Sequence, residues 1–211
     1  MNVLIIAPHP DDESIGCGGT ICLHNNRGDR VTTVFLTSGE FALRHLAKED
    51  AWKIREAEAE AAAEILGVST LKFLRRPDWG VSERIEETAA ILKPILEKEN
   101  PDLIYLPHER EAIPDHEASL AIVRSALSGS DLAEKTHLIT YEVWTPLPEY
   151  DHVEDITPVM RRKLKALRCH RSQIGYFRYD RAVRGLNQYR GELAARCRYA
   201  EVFQTAFLNP A

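Results

Sequence analysis

Short apolar runs at residues 3–7, 31–36, 71–74, 103–106 and 138–143 recur along the chain, and the stretches between them have the length and periodicity of helices. Apolar runs without polar alternation are what strands buried on both faces require, and such strands need helices on each side. Helices are predicted over 20–26, 50–66, 82–98 and 117–127. The first two end at Gly28 and Gly67, where a helix C-terminus favours a left-handed residue, and Ser82 is the expected N-cap of the third. This alternation predicts an α/β fold: a doubly wound, mostly parallel, Rossmann-like sheet with helices on both faces. Ligands in such a fold bind outside the carboxyl ends of the strands.

After residue 150 the pattern changes. Thr157-Pro158 opens a basic helix, a further helix is expected over about 183–198, and a last apolar run covers 202–207. No repeat, low-complexity tract or linker interrupts the sequence, so one domain over 1–211 is expected. A chain of 211 residues with 44% hydrophobic content can bury one sizeable core.

A formal net charge of -5 supplies no basic face for nucleic acid or an anionic membrane, so a small molecule or a protein is the expected partner, and a homo-oligomer is compatible with the pattern. Cys17, Cys22, Cys169 and Cys197 form no CxxC pair, which argues against a zinc knuckle or a disulfide framework and fits reduced thiols. No basic leader precedes the first strand, and its apolar run is far too short for a signal-peptide core or a transmembrane span. A cytoplasmic protein is therefore expected.

The first strand leads directly into "PHPDDE", which sets His9, Asp11, Asp12 and Glu13 at the carboxyl edge of the sheet. Pro8 and Pro10 bias their neighbours toward extended backbone, so this stretch is predicted to be a stiff loop that aims side chains. His9 and Asp12 are nitrogen and oxygen ligands of the kind zinc takes, leaving Asp11 as a free carboxylate beside them. Catalytic zinc needs a third protein ligand and an open water position. The candidate lies after the fourth strand, in "LPHEREAIPDHEA", where Asp115-His116 opens the next helix. Carboxylates alone would also suit magnesium or cap a helix, and His116 alone reads equally as a capping or surface residue. The histidine in the first loop and its pairing with the second loop favour the zinc reading. "GCGGT" lacks the full GxGxxG spacing, so close helix-to-strand packing is the expected role of Gly16, Gly18 and Gly19.

With these residues the sequence resembles the LmbE-like, or PIG-L-like, zinc-dependent N-deacetylases. "PHPDDE" is the specific motif; "TSGE" at 37–40, "REAEAEAAAEILGV" at 55–68, "PDH" at 114–116, "HRSQ" at 170–173 and "YAEVF" at 199–203 follow in the family's order. The resemblance implies removal of an acetyl group from an N-acetylated amino sugar or glycoside, with Zn2+ held by His9, Asp12 and His116 and with Asp11 as general base. It also implies that Arg55 and Asp78 face the sugar, with Glu40 and the segment around His170 nearby. The chain departs from the family's frequent H-P-D-H at Ile113, where the first histidine would serve the oxyanion or the leaving amine. His108, Arg110 and His152 are the candidates to take that role; each reads otherwise as an ordinary loop or surface residue.

The competing readings are a non-haem iron oxygenase, whose facial triad also uses two histidines and a carboxylate, and a sugar-binding homologue without turnover. For Arg55, an ion pair with Glu58 at i, i+3 on one helix is the structural alternative.

Overall fold

The computed structural model describes residues 1–208, and among them seven strands form one sheet; the last three residues of the expected 1–211 domain lie outside the described residues. β1 (Asn2–Ala7), β2 (Arg30–Thr37), β3 (Thr70–Arg76), β4 (Leu103–Pro107) and β5 (His137–Tyr141) run parallel. β7 (Ala200–Ala206) is antiparallel both to β5 and to the edge strand β6 (His152–Asp155). The order β3-β2-β1-β4-β5-β7-β6 sets β1 beside β4, with Val3 opposite Leu103 and Ile5 opposite Tyr105. From β1 the chain winds outward through β2 and β3, then returns to β4 on the other side. The loops leaving β1 and β4 diverge at this switch point, and a crevice opens between them.

Alternate residues of β1 feed two cores. Leu4 and Ile6 pack with Val34, Leu36, Ile104 and Leu106 against α4 (Ile85–Glu99) and α5 (Pro114–Leu127). Val3 and Ile5 pack with Val31 and Leu103 against α2 (Gly18–Arg27), α3 (Lys48–Leu66) and α7 (Met160–Leu167). Each such side chain, fully buried, contributes about 1.5–3 kcal/mol of transfer free energy. The shorter helices α1 (Asp12–Gly16), α6 (Leu132–Lys135) and α8 (Arg171–Ile174), together with α9 (Tyr179–Arg190), complete the helical layers.

Gly28 and Gly67 end α2 and α3 with φ of 82° and 86°, as their positions predict. Gly16 answers to packing: a Cβ there would lie 2.1 Å from a Tyr141 ring carbon, and one on Gly19 would lie 2.5 Å from Ile156. Several expectations need correction. Ser82 caps no helix; residues Ser82–Arg84 form a 3₁₀ turn and α4 starts at Ile85. The helix expected over 183–198 begins at Tyr179 and ends in a π turn at Gly191–Ala195. β6 carries no apolar run to betray it, being a short polar strand hydrogen-bonded on one side only.

The "YAEVF" segment is β7, and its glutamate ties the fold together. Glu201 accepts hydrogen bonds from the Gly19 and Thr20 backbone N–H groups, both at 2.8 Å, and from the Thr20 hydroxyl at 2.6 Å. It thereby closes the bare N-terminus of α2, where a carboxylate also complements the helix dipole. Lys163 of α7 supplies the counter-charge, its Nζ 2.7 Å from Glu201 and 2.8 Å from Asn187 Oδ1, and the Lys163 and Glu201 side chains are 0% and 1% exposed.

Candidate metal centre and catalytic site

The loop leaving β1 is anchored to the neighbouring strand, since the Pro8 carbonyl accepts hydrogen bonds from both the backbone N–H and the hydroxyl of Thr37 at 2.9 Å. The stiff loop is shorter than predicted: α1 begins at Asp12, so Asp12 and Glu13 lie on a first helical turn. Asp11 stands just before it at φ 135°, a conformation that strains a non-glycine residue. Its N–H donates to Glu13 Oε2 at 3.1 Å, and its carbonyl accepts from Ile15 at 2.9 Å.

Across the crevice, α5 opens with Pro114 at its first position, which fits proline's fixed φ, and carries His116 one turn in. Three atoms converge there. His9 Nδ1 lies 3.1 Å from His116 Nε2 and 3.3 Å from Asp12 Oδ2, and His116 Nε2 lies 3.2 Å from Asp12 Oδ2. Tetrahedral ligands at zinc distances stand about 3.4 Å apart, so this donor set fits a small divalent cation. The remaining ring nitrogens face carboxylates. His9 Nε2 is 2.9 Å from Asp78 Oδ1 and 3.5 Å from Asp115 Oδ2, and His116 Nδ1 is 3.8 Å from Glu111 Oε2. Neither ring nitrogen makes a well-aligned hydrogen bond. Those carboxylates are themselves held by backbone donors: Asp115 by Trp79 and Val81, Asp78 by Phe41, and Glu111 by Val143, Trp144 and Thr145. A carboxylate behind an imidazole that offers its other nitrogen to a metal is the usual outer arrangement of such sites.

Burial pushes the Asp11 carboxyl up to about 6, with Arg55 opposing the shift and Asp12 adding to it. Burial would raise Asp12 as well, but the neighbouring His116 and His9 hold it well below the usual carboxylate range. Two chemically identical neighbours are thus separated by surroundings, one poised near neutrality and one fixed as an anion. Such a split marks acid-base assignments.

The cavity beside these residues has a volume of about 260 Å³ and is lined by His9, Asp11, Asp12, Arg55 and Asp78 among others. Arg55 is 2% exposed; its Nη2 donates to the Pro10 carbonyl and lies 3.5 Å from Asp11 Oδ1. Its Nε and Nη1 have no partner within the protein, nor does Asp78 Oδ1 have an aligned one. The i, i+3 pair with Glu58 does not form, because Glu58 instead accepts from the Ser172 N–H and hydroxyl, each at 2.7 Å. Glu40 lies behind the cavity wall, accepting from Trp52 Nε1 at 3.0 Å and the Asp78 N–H at 3.4 Å. His170 is fully buried, 3.5 Å from Glu13.

With that geometry in hand, residues 4–127 match the family described as PIG-L: GlcNAc-PI de-N-acetylase. The chain belongs to the PIG-L family. It is similar to the probable N-acetyl-alpha-D-glucosaminyl L-malate deacetylase 2 of Bacillus cereus, 33% identical over 184 residues that cover 82% of this chain and 83% of the relative. It is also similar to the diacetylchitobiose deacetylase of Thermococcus kodakarensis, 30% identical over 231 residues, covering 94% and 80%. Among solved structures, the N,N'-diacetylchitobiose deacetylase from Pyrococcus horikoshii superposes with a TM-score of 0.85 at 28% identity, covering 98% of this chain and 84% of that one. PIG-L relatives with these names are hydrolases of amide bonds, and the described residues form one mostly parallel sheet rather than the double-stranded β pattern an oxygenase reading needs.

At the position where PIG-L chains often carry a histidine, Ile113 lines the cavity and offers no polar atom. The proposed substitutes do not move in. His108 places Nε2 2.7 Å from the Thr145 carbonyl and accepts from the Arg110 N–H, and His108 and Arg110 border a different cavity. His152 lies on β6, 3.2 Å from Glu154. Sequence reasoning missed Glu111, Asp115 and Tyr179. Tyr179 lines the catalytic cavity, and burial pushes its hydroxyl pKa well above the ordinary tyrosine value, leaving it a neutral donor.

Proposed function

We propose that this protein is a cytoplasmic, zinc-dependent N-deacetylase that hydrolyses the acetamide of an N-acetylated amino sugar or glycoside, giving acetate and a free amine. The observation that carries the reading is the convergence of His9, Asp12 and His116 within 3.3 Å of one another, with Asp11 beside them and free of that cluster. Zinc bound by these three residues would supply an acidified water and a polarised amide carbonyl.

The chain's own residues do the rest. Asp11, buried next to Arg55, takes the proton from the attacking water and returns it to the nitrogen as the carbon–nitrogen bond breaks. Arg55 and Asp78 line the cavity as a charged donor and a carboxylate acceptor suited to sugar hydroxyls. The Ile113 side chain gives no help to the developing oxyanion; Tyr179 and Gln173, which line the same cavity, carry neutral donors suited to that role.

Zinc content and acetate release measured side by side test the assignment. His116→Ala and Asp12→Ala should strip metal and activity together. Asp11→Asn should keep about one zinc per chain yet lose on the order of 10²- to 10⁴-fold in rate. Full zinc occupancy in His116→Ala, or loss of zinc in Asp11→Asn, overturns it. No amine release from any N-acetylglucosamine derivative by zinc-loaded protein would leave a sugar-binding homologue without turnover.

A further inference from the structure

The mouth of the cavity is walled by exposed aromatic residues, and three of them have their backbone N–H held by the carboxylates that stand behind the histidines. Trp79 is 52% exposed at φ 62°, a left-handed conformation that a bulky residue adopts only under constraint. The constraint is Asp115, whose Oδ2 accepts the Trp79 N–H at 2.8 Å and whose Oδ1 accepts the Val81 N–H at 3.0 Å. Phe41, 48% exposed, packs its ring 5.9 Å from that of Trp79, its own N–H donating to Asp78 at 2.8 Å. Trp144, which lines the same cavity, is 44% exposed, and Glu111, the carboxylate facing His116, accepts its N–H at 3.1 Å. Trp144 packs edge-on against Tyr179 at 5.3 Å, and Phe177, 60% exposed, stacks on Tyr179 at 5.7 Å.

Leaving large rings half in water is unfavourable unless something covers them, and strain on an exposed tryptophan adds to that cost. The charge at the mouth narrows the occupant. Among the described residues Arg55 is the one permanent cation lining the cavity, it is buried against Asp11, and it faces three carboxylates there, Asp11, Asp12 and Asp78. Arg44 lies outside the lining, over the Phe41 ring at 5.4 Å. With the charge of the proposed zinc counted the lining is close to neutral, so an anionic aglycone finds no excess of positive charge, while a neutral ring finds aromatic faces. A pyranose presents just such a face of C–H groups, ringed by hydroxyls.

Resting on the deacetylase reading above, we infer that Trp79 and Trp144 form a stacking subsite for a second, uncharged sugar ring, so that the substrate is an N-acetylated oligosaccharide rather than a monosaccharide or an acidic glycoside. The sharing of Asp115 and Glu111 between the tryptophans and the histidines sets the outer ring in register with the reacting amide.

The test compares zinc-loaded protein on N-acetylglucosamine, N,N'-diacetylchitobiose and an N-acetylglucosaminide bearing a carboxylate aglycone. The disaccharide should lead in kcat/KM by at least about tenfold, and Trp79→Ala and Trp144→Ala should each raise its KM about tenfold, the scale of truncating an aromatic anchor. Their effect on the monosaccharide should be several-fold smaller, and Trp79→Phe should recover most of the loss. Preference for the acidic glycoside, or equal losses on mono- and disaccharide, overturns the inference while leaving deacetylation intact. Failure of every substrate tests the deacetylase reading instead; the subsite is then read by tryptophan fluorescence of the Asp11→Asn protein titrated with N,N'-diacetylchitobiose. Saturable quenching that Trp79→Ala abolishes supports it, and no quenching overturns it.

Discussion

Asp115 Oδ2 lies 3.5 Å from His9 Nε2, while His9 Nδ1 faces the His116 and Asp12 atoms of the proposed metal site. Together with Asp78 Oδ1, 2.9 Å from the same nitrogen, this carboxylate favours the proton on Nε2 and leaves the Nδ1 lone pair free. Asp115→Ala should therefore lower zinc affinity roughly 10- to 100-fold, the usual worth of an outer-shell acceptor. Competition with a chelator measures it; unchanged affinity would mean that Asp115 serves the Trp79 and Val81 backbone alone.

Arg55 has the burial and free donors of a substrate contact, and its helical neighbour Glu58 is engaged elsewhere. Arg55→Ala should reduce kcat/KM by roughly 10- to 100-fold, as expected for losing charge-assisted hydrogen bonds, with zinc content retained. Glu58→Ala should act instead on stability, by releasing Ser172 at the start of α8. Comparable kinetic losses from both would sink the distinction.

The metal-free and zinc-loaded proteins should respond to pH in opposite senses. Burial lowers the His9 and His116 pKa values, but Asp115, Asp12 and Asp78 around His9, and Asp12 beside His116, more than offset it, so both stay raised in the metal-free fold. Their contribution is fully present below the unfolded value of about 6.5 and is lost as pH rises through the raised values. Asp12, held low, contributes above about pH 4 and loses that as pH falls further. Zinc needs neutral imidazoles, so its stabilisation grows over the range in which the metal-free form weakens. Thermal midpoints with chelator and with zinc, taken from pH 5.5 to 8.5, should diverge as pH rises; a constant gap argues against histidine ligands.

Removing one partner of the Lys163–Glu201 pair leaves the other charge buried and alone. Glu201→Ala should cost roughly 3–5 kcal/mol, and Glu201→Gln less, since the amide oxygen still accepts from α2. Denaturant unfolding of both variants measures this. A cost under about 1 kcal/mol would show that α2 finds another cap.

The parts of the fold and site that could be read from sequence are those whose signal is local. Unbroken apolar runs mark the five parallel strands; residue type plus strand-end position point to the loop at His9–Glu13 and the helix start at Asp115-His116, and the family resemblance supplies the set His9, Asp12 and His116. Asp115 was hidden because a carboxylate at a helix start has the same signature whether it caps the helix or orients an imidazole. Glu111 was hidden because its partners are backbone N–H groups of residues 143–145, which carry no side-chain pattern. The spacing of Arg55 and Glu58 predicted a pair that tertiary partners outcompeted. β6 is defined by its hydrogen bonds to β7 and by little in its own residues.

Glu201 is made 182 positions after Gly19, the residue whose N–H it accepts. During synthesis the histidine and aspartates of the first loop leave the ribosome early, attached to a helix whose N-terminus is still bare, and both Lys163 and Glu201 follow much later. Long-range closure of this kind is slow and comes late. A nascent chain arrested between His116 and β7 would carry every proposed zinc ligand and yet lack the frame that aims them, so metal uptake becomes a reporter of finished synthesis.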